Sequence, residues 1–274
     1  MRYPRIFFPI VVGLMLATVS ACTTTTSGGA VGAQRSQLML ISSGELEQVA
    51  VQSYSKMKSD ASSKGELNQD TALLKRIRTI ATHIKPHTAI FRKDAPGWNW
   101  EVNVISSKEL NAFCMPGGKI MFYSGLVNQL HLSDDEIAIV MGHEIAHALR
   151  EHSREQVSQA MAAQTAINVG TALLGLGQTA AAISGSVYQS LIATKFSRTD
   201  ESEADDIGLE LTARSGYDPR AGVTLWQKMM AASHGDRPPE LLSTHPAEAN
   251  RVQKIQSLLP TVIPLYESAR RSAP

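Results

Sequence analysis

Met141-Gly142-His143-Glu144-Ile145-Ala146-His147 is the stretch that decides how this chain folds, because it holds an H-E-x-x-H pentad. On a helix, His143 and His147 lie four positions apart, so both imidazoles project from one face and can reach the same zinc ion. Glu144 lies about 100° round the helix from His143, where it can contact a metal-bound water without displacing a ligand. The pentad therefore predicts two zinc ligands and a base, and it requires a third ligand from elsewhere in the chain.

The helix that carries the pentad is predicted to be central and buried. Ser133-Asp134-Asp135-Glu136 is a capping box, with acidic side chains at the positive end of the helix. Between Glu136 and Arg150 only the pentad contains ionisable residues, and the other side chains are apolar almost all round. Two histidines and a glutamate on such a helix would be costly unless they were paired or bound to a metal. His152 follows this apolar run, and we expect it at the surface, at a helix end.

A second informative stretch is rich in acidic residues. A helix that begins near Asp200 and ends before Gly216 would place Glu201 and Asp205 on one face, four positions apart. Glu201 could then complete a His-His-Glu zinc site, with Asp205 accepting a hydrogen bond from the second nitrogen of a ligand histidine. Spacing alone does not choose Glu201 over Glu203, and a solvated acidic face is the alternative interpretation.

The chain before the pentad predicts helices and a small sheet. Apolar residues recur at helical spacing over 44–58 and 71–84, and polar and apolar residues alternate over 98–105 as in a strand. Two more short strands are predicted at 110–115 and 119–123, joined by a proline–glycine turn. The predicted fold class is α+β, mostly helical with a small β-sheet beside the active-site helix. An edge strand of this sheet could pair with an extended substrate, although a sheet that only packs fits the residues equally well.

The N-terminal residues are predicted to be a targeting segment. Two arginines precede an uncharged apolar stretch at 6–16 that is too short to span a bilayer comfortably. It ends in Val19-Ser20-Ala21-Cys22, which resembles a bacterial lipoprotein signal. We therefore predict a lipoprotein signal peptide at 1–21 and a lipidated flexible tether at 22–42, with the membrane anchor at Cys22. An ordinary secretory signal with an unmodified cysteine is the alternative.

Composition limits the remaining possibilities. The formal net charge of +1 gives no indication of a nucleic-acid partner or of electrostatic binding to a membrane. Residues 156–194 carry no charged side chain, but polar residues interrupt every long window. Closely packed helices or a lid over the cleft fit that stretch better than membrane insertion, which remains an alternative. If Cys22 carries lipid, Cys114 has no partner, and we expect it to be a small buried residue.

The H-E-x-x-H pentad followed by E-x-x-A-D at Glu201–Asp205 resembles the zinc metallopeptidase family that includes HtpX, BepA and LoiP, family forty-eight of the metallopeptidases. The lipoprotein-like N-terminus makes the resemblance strongest to LoiP-type outer-membrane peptidases. The resemblance implies a zincin-type metallopeptidase domain over 43–262, followed by a C-terminal tail at 263–274. It also implies that Glu201 is the third zinc ligand and that Asp205 supports the site.

Two further motifs carry the same resemblance. Asn111-Ala112-Phe113, followed by a P-G-G turn, is similar to the family's block at the substrate edge strand. Thr244-His245-Pro246, followed by Arg251, is similar to a T-H-P…R signature. The resemblance implies that His245 can bind the zinc as a regulatory, inhibitory ligand, and that Arg251 lies by the cleft.

These features predict a zinc endopeptidase with one Zn²⁺ per chain, held by His143, His147 and Glu201. Glu144 would act as the general base, and Arg251 or the metal could stabilise the oxyanion. The predicted substrates are polypeptides, misfolded or outer-membrane proteins, met at the periplasmic face of the outer membrane of a Gram-negative bacterium. Outer-membrane protein assembly components are the further predicted partners.

Two other functions remain open at this point. One is a non-catalytic lipoprotein chaperone or assembly factor with zinc in a closed His/His/Glu/His site, since structural zinc sites have four protein ligands. The other is a zinc hydrolase that acts on cell-wall peptides.

Overall fold

The protein is described by a computed structural model that covers residues 22–173, 195–233, 240–245 and 250–272. The predicted signal segment and the later part of the uncharged stretch, 174–194, lie outside these ranges. The helices in the described ranges are α1 (Ser43–Ser63), α2 (Thr71–Ile84), α3 (Ser124–Gln129), α4 (Asp134–Leu149), α5 (His152–Leu173), α6 (Arg198–Arg214), α7 (Ala221–Ser233), α8 (Leu241–Thr244) and α9 (Arg251–Ser272). The strands are β1 (Cys22–Thr23), β2 (Gln37–Leu38), β3 (Glu101–Ile105), β4 (Ala112–Met115) and β5 (Lys119–Tyr123), and two 3₁₀ turns span Lys85–Ile90 and Ala95–Gly97.

Helix α4, which carries the pentad, lies at the centre of the fold. Every residue from Glu136 to Leu149 is buried, and the helix packs against α2, α6, α7 and β4. Its N-terminus has the predicted capping box, in which the Ser133 side chain accepts a hydrogen bond from the Glu136 amide and the Glu136 carboxylate accepts one from the Ser133 amide. The prediction of a central buried helix is confirmed.

Helices α4 and α6 cross at a pair of glycines. A Cβ atom added to Gly142 would lie 2.6 Å from the Gly208 carbonyl oxygen, and one added to Gly208 would lie 2.6 Å from the His143 amide nitrogen. Thr212 donates a hydrogen bond across the same interface to the Ala138 carbonyl, at 3.1 Å. Side chains near this crossing on the two helices can therefore meet at short distances.

The small sheet has the strand order β3-β5-β4, in which β3 runs parallel to β5 and β4 runs antiparallel to it. Strand β4 is an edge strand and packs against α4. Tyr54 of α1 fixes the sheet from the other side: its hydroxyl donates to the Ile120 carbonyl at 2.5 Å and accepts from the Asn103 amide at 3.0 Å. A mostly helical α+β fold with a small sheet beside the pentad helix is confirmed.

The segment that follows Cys22 is predicted to be a flexible tether, but it packs against the helical domain. Strands β1 and β2 pair with each other, and Gln37 is buried, with its amide donating to the Arg150 carbonyl at 2.8 Å and to Glu155 at 2.7 Å. The backbone amides of Ala30 and Val31 both donate to the Glu210 carboxylate, at 2.7 and 3.1 Å. The small polar residues that suggest a linker are here held by buried side chains of the helical domain.

The C-terminal region also differs from prediction. Helix α9 continues to Ser272, although it contains Pro260 and Pro264, so the described part of the predicted tail at 263–272 is helical. Val262 is buried, and the helix packs against α6 and α7, because its apolar side chains keep helical spacing beyond residue 259.

The start of the uncharged stretch forms most of α5. Among the described residues, no helix is long and apolar enough to cross a membrane.

Candidate metal centre

Three predicted ligands from two helices meet in the interior. Nε2 of His143 lies 3.1 Å from Nε2 of His147, and each of these nitrogens is 3.5 Å from an oxygen of Glu201. All three side chains are buried. In a tetrahedral zinc site with bonds of 2.0–2.2 Å, neighbouring donor atoms are separated by about 3.3–3.6 Å. The two imidazole–carboxylate spacings lie in this range and the imidazole–imidazole spacing is slightly shorter, so the three donors could hold a metal ion such as zinc.

His245, which directly follows α8, reaches the same point. Its Nδ1 atom lies 3.2 Å from Nε2 of His143 and 2.7 Å from Oε1 of Glu201. The donor atoms of His143, His147, Glu201 and His245 all lie within 4.8 Å of one another, so the four could hold one metal ion. The structure thus brings the predicted regulatory residue together with the three predicted ligands.

The acidic residues of α6 contact two different groups of side chains. Glu201 and Asp205 contact the histidines of α4, whereas Glu203 contacts Arg35, Arg150 and His152 instead. Sequence spacing left Glu201 and Glu203 undecided, and the geometry places Glu201 next to the histidines. The alternative of a solvated acidic face is wrong, because four of the five acidic residues are buried and Asp206 is half-buried; the buried ones are Asp200, Glu201, Glu203 and Asp205.

Arg251, at the start of α9, lies between two carboxylates. Its Nε and Nη2 atoms donate to the two oxygens of Asp205 at 2.6 and 2.8 Å, and its Nη1 atom lies 2.8 Å from Oε2 of Glu201. The guanidinium also stacks on Trp226, with its central carbon 3.6 Å from the ring centroid. Asp205 in turn lies 3.1 Å from Nδ1 of His143. Arg251 is 5% exposed, so it belongs to the interior of the site and not to an open cleft wall.

Burial and charge set the protonation of the donor groups. Burial holds the pKa of His147 well below its usual range, so its imidazole is neutral, which is the form that binds metals. Burial alone would raise the pKa of Glu201, but the charge of His245 and hydrogen bonds from His147 and His245 outweigh it, so that pKa is strongly lowered. The ligand cluster therefore offers the carboxylate of Glu201 and the neutral imidazole of His147.

Glu144 has a different environment. Burial raises the pKa of its carboxyl group, although His245 and His143 oppose the effect. Its Oε1 atom is buried and forms no hydrogen bond with any described residue, and it lies 3.6 Å from Nε2 of His245. Next to it is a cavity of about 20 Å³, which is room for about one water molecule. The cavity is lined by Ile139, Val140, His143, Glu144, Asp205, Leu225, Trp226, Met229, Leu241 and His245.

The predicted substrate strand lies near this site. Ala112 and Phe113 begin the edge strand β4, and Asn111 directly precedes it. The Leu241 amide of α8 donates to the Leu110 carbonyl at 3.1 Å, so the segment that carries His245 lies beside the start of β4. The arrangement is compatible with an extended peptide beside the metal centre.

His152 is the main residue that sequence reasoning placed wrongly. It begins α5, as expected of a helix end, but it is fully buried. Its Nδ1 atom lies 2.8 Å from Nδ1 of His147, and its Nε2 atom lies 3.1 Å from Oε2 of Glu203. Glu151, between the two helices, has a φ of 53°. This left-handed conformation turns the chain so that His152 contacts His147 of the pentad. A histidine five positions after the pentad is a signal that could have been weighed.

The comparisons with known proteins fit this geometry. The model of peptidase family M48 matches residues 74–259, a span that contains every candidate ligand. The chain belongs to peptidase family M48. Membership confirms the resemblance inferred from H-E-x-x-H and E-x-x-A-D, and it confirms the prediction of a metallopeptidase domain.

Individual relatives of this M48 chain come from bacteria and mitochondria. The metalloprotease LoiP of Escherichia coli is 29% identical over 252 residues, which cover 90% of the chain and 94% of LoiP. The mitochondrial metalloendopeptidase OMA1 of Bos taurus is 34% identical over 220 residues, 74% of the chain and 41% of OMA1. The beta-barrel assembly-enhancing protease of Escherichia coli is 35% identical over 161 residues, 54% of the chain and 32% of that protein. The chain thus spans about two fifths of the length of the mitochondrial relative.

Proposed function

We propose that this protein is a zinc endopeptidase that hydrolyses peptide bonds with Glu144 as the general base. One observation carries the proposal. The buried carboxylate oxygen of Glu144, which has no hydrogen-bond partner among the described residues, lies beside a water-sized cavity and next to the donor cluster of His143, His147 and Glu201. Membership of peptidase family M48 supports it.

Each residue of the site has a distinct task in this proposal. His143, His147 and Glu201 would hold the zinc ion, which when bound would supply a Lewis acid that makes a water molecule easier to deprotonate. Glu144 accepts a proton from the attacking water and passes it to the leaving amine. Its raised pKa suits this task, because a carboxyl group that both accepts and returns a proton works best near the operating pH.

Arg251 and Asp205 support the ligands in this proposal. Asp205 accepts a hydrogen bond from Nδ1 of His143, which leaves Nε2 to face the metal, and Arg251 neutralises both Asp205 and Glu201. Because its guanidinium already contacts two carboxylates, orientation of these groups is its primary role here. The oxyanion role of Arg251 stays a prediction from the sequence.

The cellular setting is part of the proposal. Cys22 is exposed, which is compatible with a lipid anchor at that residue. The relatives from Escherichia coli, one of them a beta-barrel assembly-enhancing protease, support the periplasmic face of the outer membrane as the location. Misfolded or outer-membrane proteins are the proposed substrates, and outer-membrane assembly components are proposed partners.

One specific observation favours a second candidate function. Because His245 lies within ligand distance of the other three donors, it could close the site as a fourth ligand and leave a structural zinc in a chaperone or assembly factor. In the endopeptidase proposal, His245 must leave the metal for substrate to bind, so the same residue acts as a reversible regulatory ligand.

Cleavage assays with the zinc-loaded protein distinguish these functions. The wild type and His245→Ala are incubated side by side with casein and with purified muropeptides, with and without a chelator. An endopeptidase cleaves casein, loses that activity with the chelator, and cleaves at least as fast after His245→Ala. No cleavage by either protein with zinc bound would support the structural site, and cleavage of muropeptides alone would indicate a cell-wall hydrolase.

A further inference from the structure

The two candidate ligand histidines on α4 have different partners on their second ring nitrogen. Nδ1 of His143 contacts the carboxylate of Asp205 at 3.1 Å, which is a common arrangement at metal sites. Nδ1 of His147 instead contacts another histidine, His152, through that ring's Nδ1 at 2.8 Å. The His147–His152 pair is buried, with exposed fractions of 4% and 0%.

Only one distribution of protons satisfies these contacts when His147 binds a metal. The Nε2 atom of His147 faces the other metal donors, so its Nδ1 atom must carry the proton and donate a hydrogen bond to His152. The Nδ1 atom of His152 must then accept, which leaves the proton of neutral His152 on Nε2. That N–H points to Oε2 of Glu203 at 3.1 Å, so the chain of donors and acceptors ends on a carboxylate.

Glu203 is itself held in place by two arginines. Arg150 contacts both of its oxygens, through Nε at 3.0 Å and Nη2 at 3.1 Å, and is fully buried. Arg35, from the segment that precedes α1, donates to Oε1 of Glu203 at 3.1 Å and also contacts Glu155 and Asp200. His152, Asp200 and Glu203 could by their atoms alone hold a second metal ion, but the guanidinium of Arg35 already lies against both carboxylates.

We propose that His152 is a positioning residue, which fixes the tautomer and ring orientation of His147. Glu203 holds His152 in the tautomer whose Nδ1 atom accepts the hydrogen bond from His147. The inference rests on the proposed function, in which His147 is a zinc ligand. Phe196 contributes on the other side, because its ring stacks on His147 with a centroid distance of 3.9 Å. The imidazole of His147 is thus fixed in orientation by His152 and in plane by Phe196.

A pair of substitutions separates hydrogen bonding from packing. His152→Gln keeps an amide oxygen that can accept from His147 and an amide N–H that can donate to Glu203, whereas His152→Leu fills similar volume without either. We expect His152→Leu to weaken zinc binding by about 10- to 100-fold, the usual loss for an outer partner of a metal ligand. His152→Gln should recover most of that loss. Competition with a chromophoric zinc chelator measures each dissociation constant.

Nitrogen NMR on the zinc-loaded protein gives a readout that packing alone would not change. We expect His152 of the wild type to carry its proton on Nε2, so that its Nδ1 atom accepts the hydrogen bond from Nδ1 of His147. This measurement on the wild type needs no variant, so it decides the inference even if His152→Leu fails to fold. A His152 ring protonated on Nδ1 in the zinc-loaded wild type would overturn the proposal.

The controls keep this inference apart from the proposed function. His83→Leu removes a histidine whose partner is Tyr217, outside the metal centre, and should leave zinc affinity unchanged. His147→Ala should abolish tight binding; a His147→Ala variant with wild-type affinity would contradict the proposed function. Wild-type zinc affinity in His152→Leu, or an equal loss in His152→Gln and His152→Leu, would overturn the positioning role while the proposed function stands.

Discussion

Gly142 of α4 and Gly208 of α6 cross in backbone contact, and the metal centre depends on that contact. The crossing lets Glu201 and Asp205, which lie two turns and one turn before Gly208, reach the histidines on α4 at 3.1–3.5 Å. Neither glycine is needed for an unusual backbone conformation. Each is needed because a Cβ atom would lie 2.6 Å from the opposite backbone.

Substitution of Gly208 by alanine should separate the two helices. We expect Gly208→Ala to lower the free energy of unfolding by about 1–3 kcal/mol, the usual cost of overpacking a core, and to weaken zinc binding as well. Gly44→Ala is the matched control, because a Cβ atom there meets nothing within 4 Å. Since alanine favours helices, Gly44→Ala in α1 should be neutral or stabilising. Urea unfolding of the metal-free proteins measures both, and equal stabilities for the two variants would contradict the role of the crossing.

Removal of the buried Arg251 should lower the free energy of unfolding, because the arginine neutralises two buried carboxylates. Arg251→Met leaves the carboxylates of Asp205 and Glu201 buried without their cation, and we expect a loss of about 3–5 kcal/mol in unfolding free energy. Arg220→Met removes an arginine that pairs with Asp218 at the surface, where its side chain is 61% exposed, and should cost far less, because solvent screens the pair. Chemical unfolding at neutral pH compares them. A loss for Arg251→Met as small as that for Arg220→Met would show that the buried pairs contribute little.

The turn between α4 and α5 should tolerate glycine better than alanine. Glu151 has a φ of 53° and contacts Arg92 and Arg154 at 3.1 and 2.7 Å, which offset its strained backbone. Both Glu151→Gly and Glu151→Ala lose these contacts, but only glycine relieves the strain, so we expect the glycine variant to be more stable by about 1–2 kcal/mol. At Gln52, exposed within α1, the order should reverse by about 1 kcal/mol. Alanine equal to glycine at position 151 would contradict the strain.

Zinc itself should stabilise the folded protein. At a free zinc concentration of about 100 times the dissociation constant, binding adds about 2.7 kcal/mol to the free energy of unfolding. We expect zinc to raise the melting temperature of the wild type, and a chelator to reverse the effect. Glu201→Gln should reduce this shift, because it removes the anionic ligand. Differential scanning calorimetry measures the shifts, and an equal rise in His143→Ala would place zinc elsewhere.

Some of this molecule could be predicted from local sequence because local interactions determine it. The capping box at Ser133, the bounds of α2 and β5, and the burial of Cys114 follow from caps, spacing and side-chain chemistry within a few residues. The central helix followed from the absence of charge around the pentad.

Other features depend on contacts distant in sequence. His152 is buried because Glu151 takes a left-handed conformation and because Glu203, 51 positions later, accepts a hydrogen bond from its Nε2 atom. The segment before α1 packs on the domain because Arg35 and Gln37 find partners on α5 and α6. A linker-like composition cannot reveal such partners.

The central claim is that Glu144 is the base of a zinc site whose ligands are other residues. It is tested most directly by Glu144→Gln, measured for zinc content and for casein cleavage in the same preparation. We predict one zinc ion per chain, as in the wild type, and loss of proteolysis. Cleavage at the wild-type rate by the zinc-loaded Glu144→Gln variant would contradict the account.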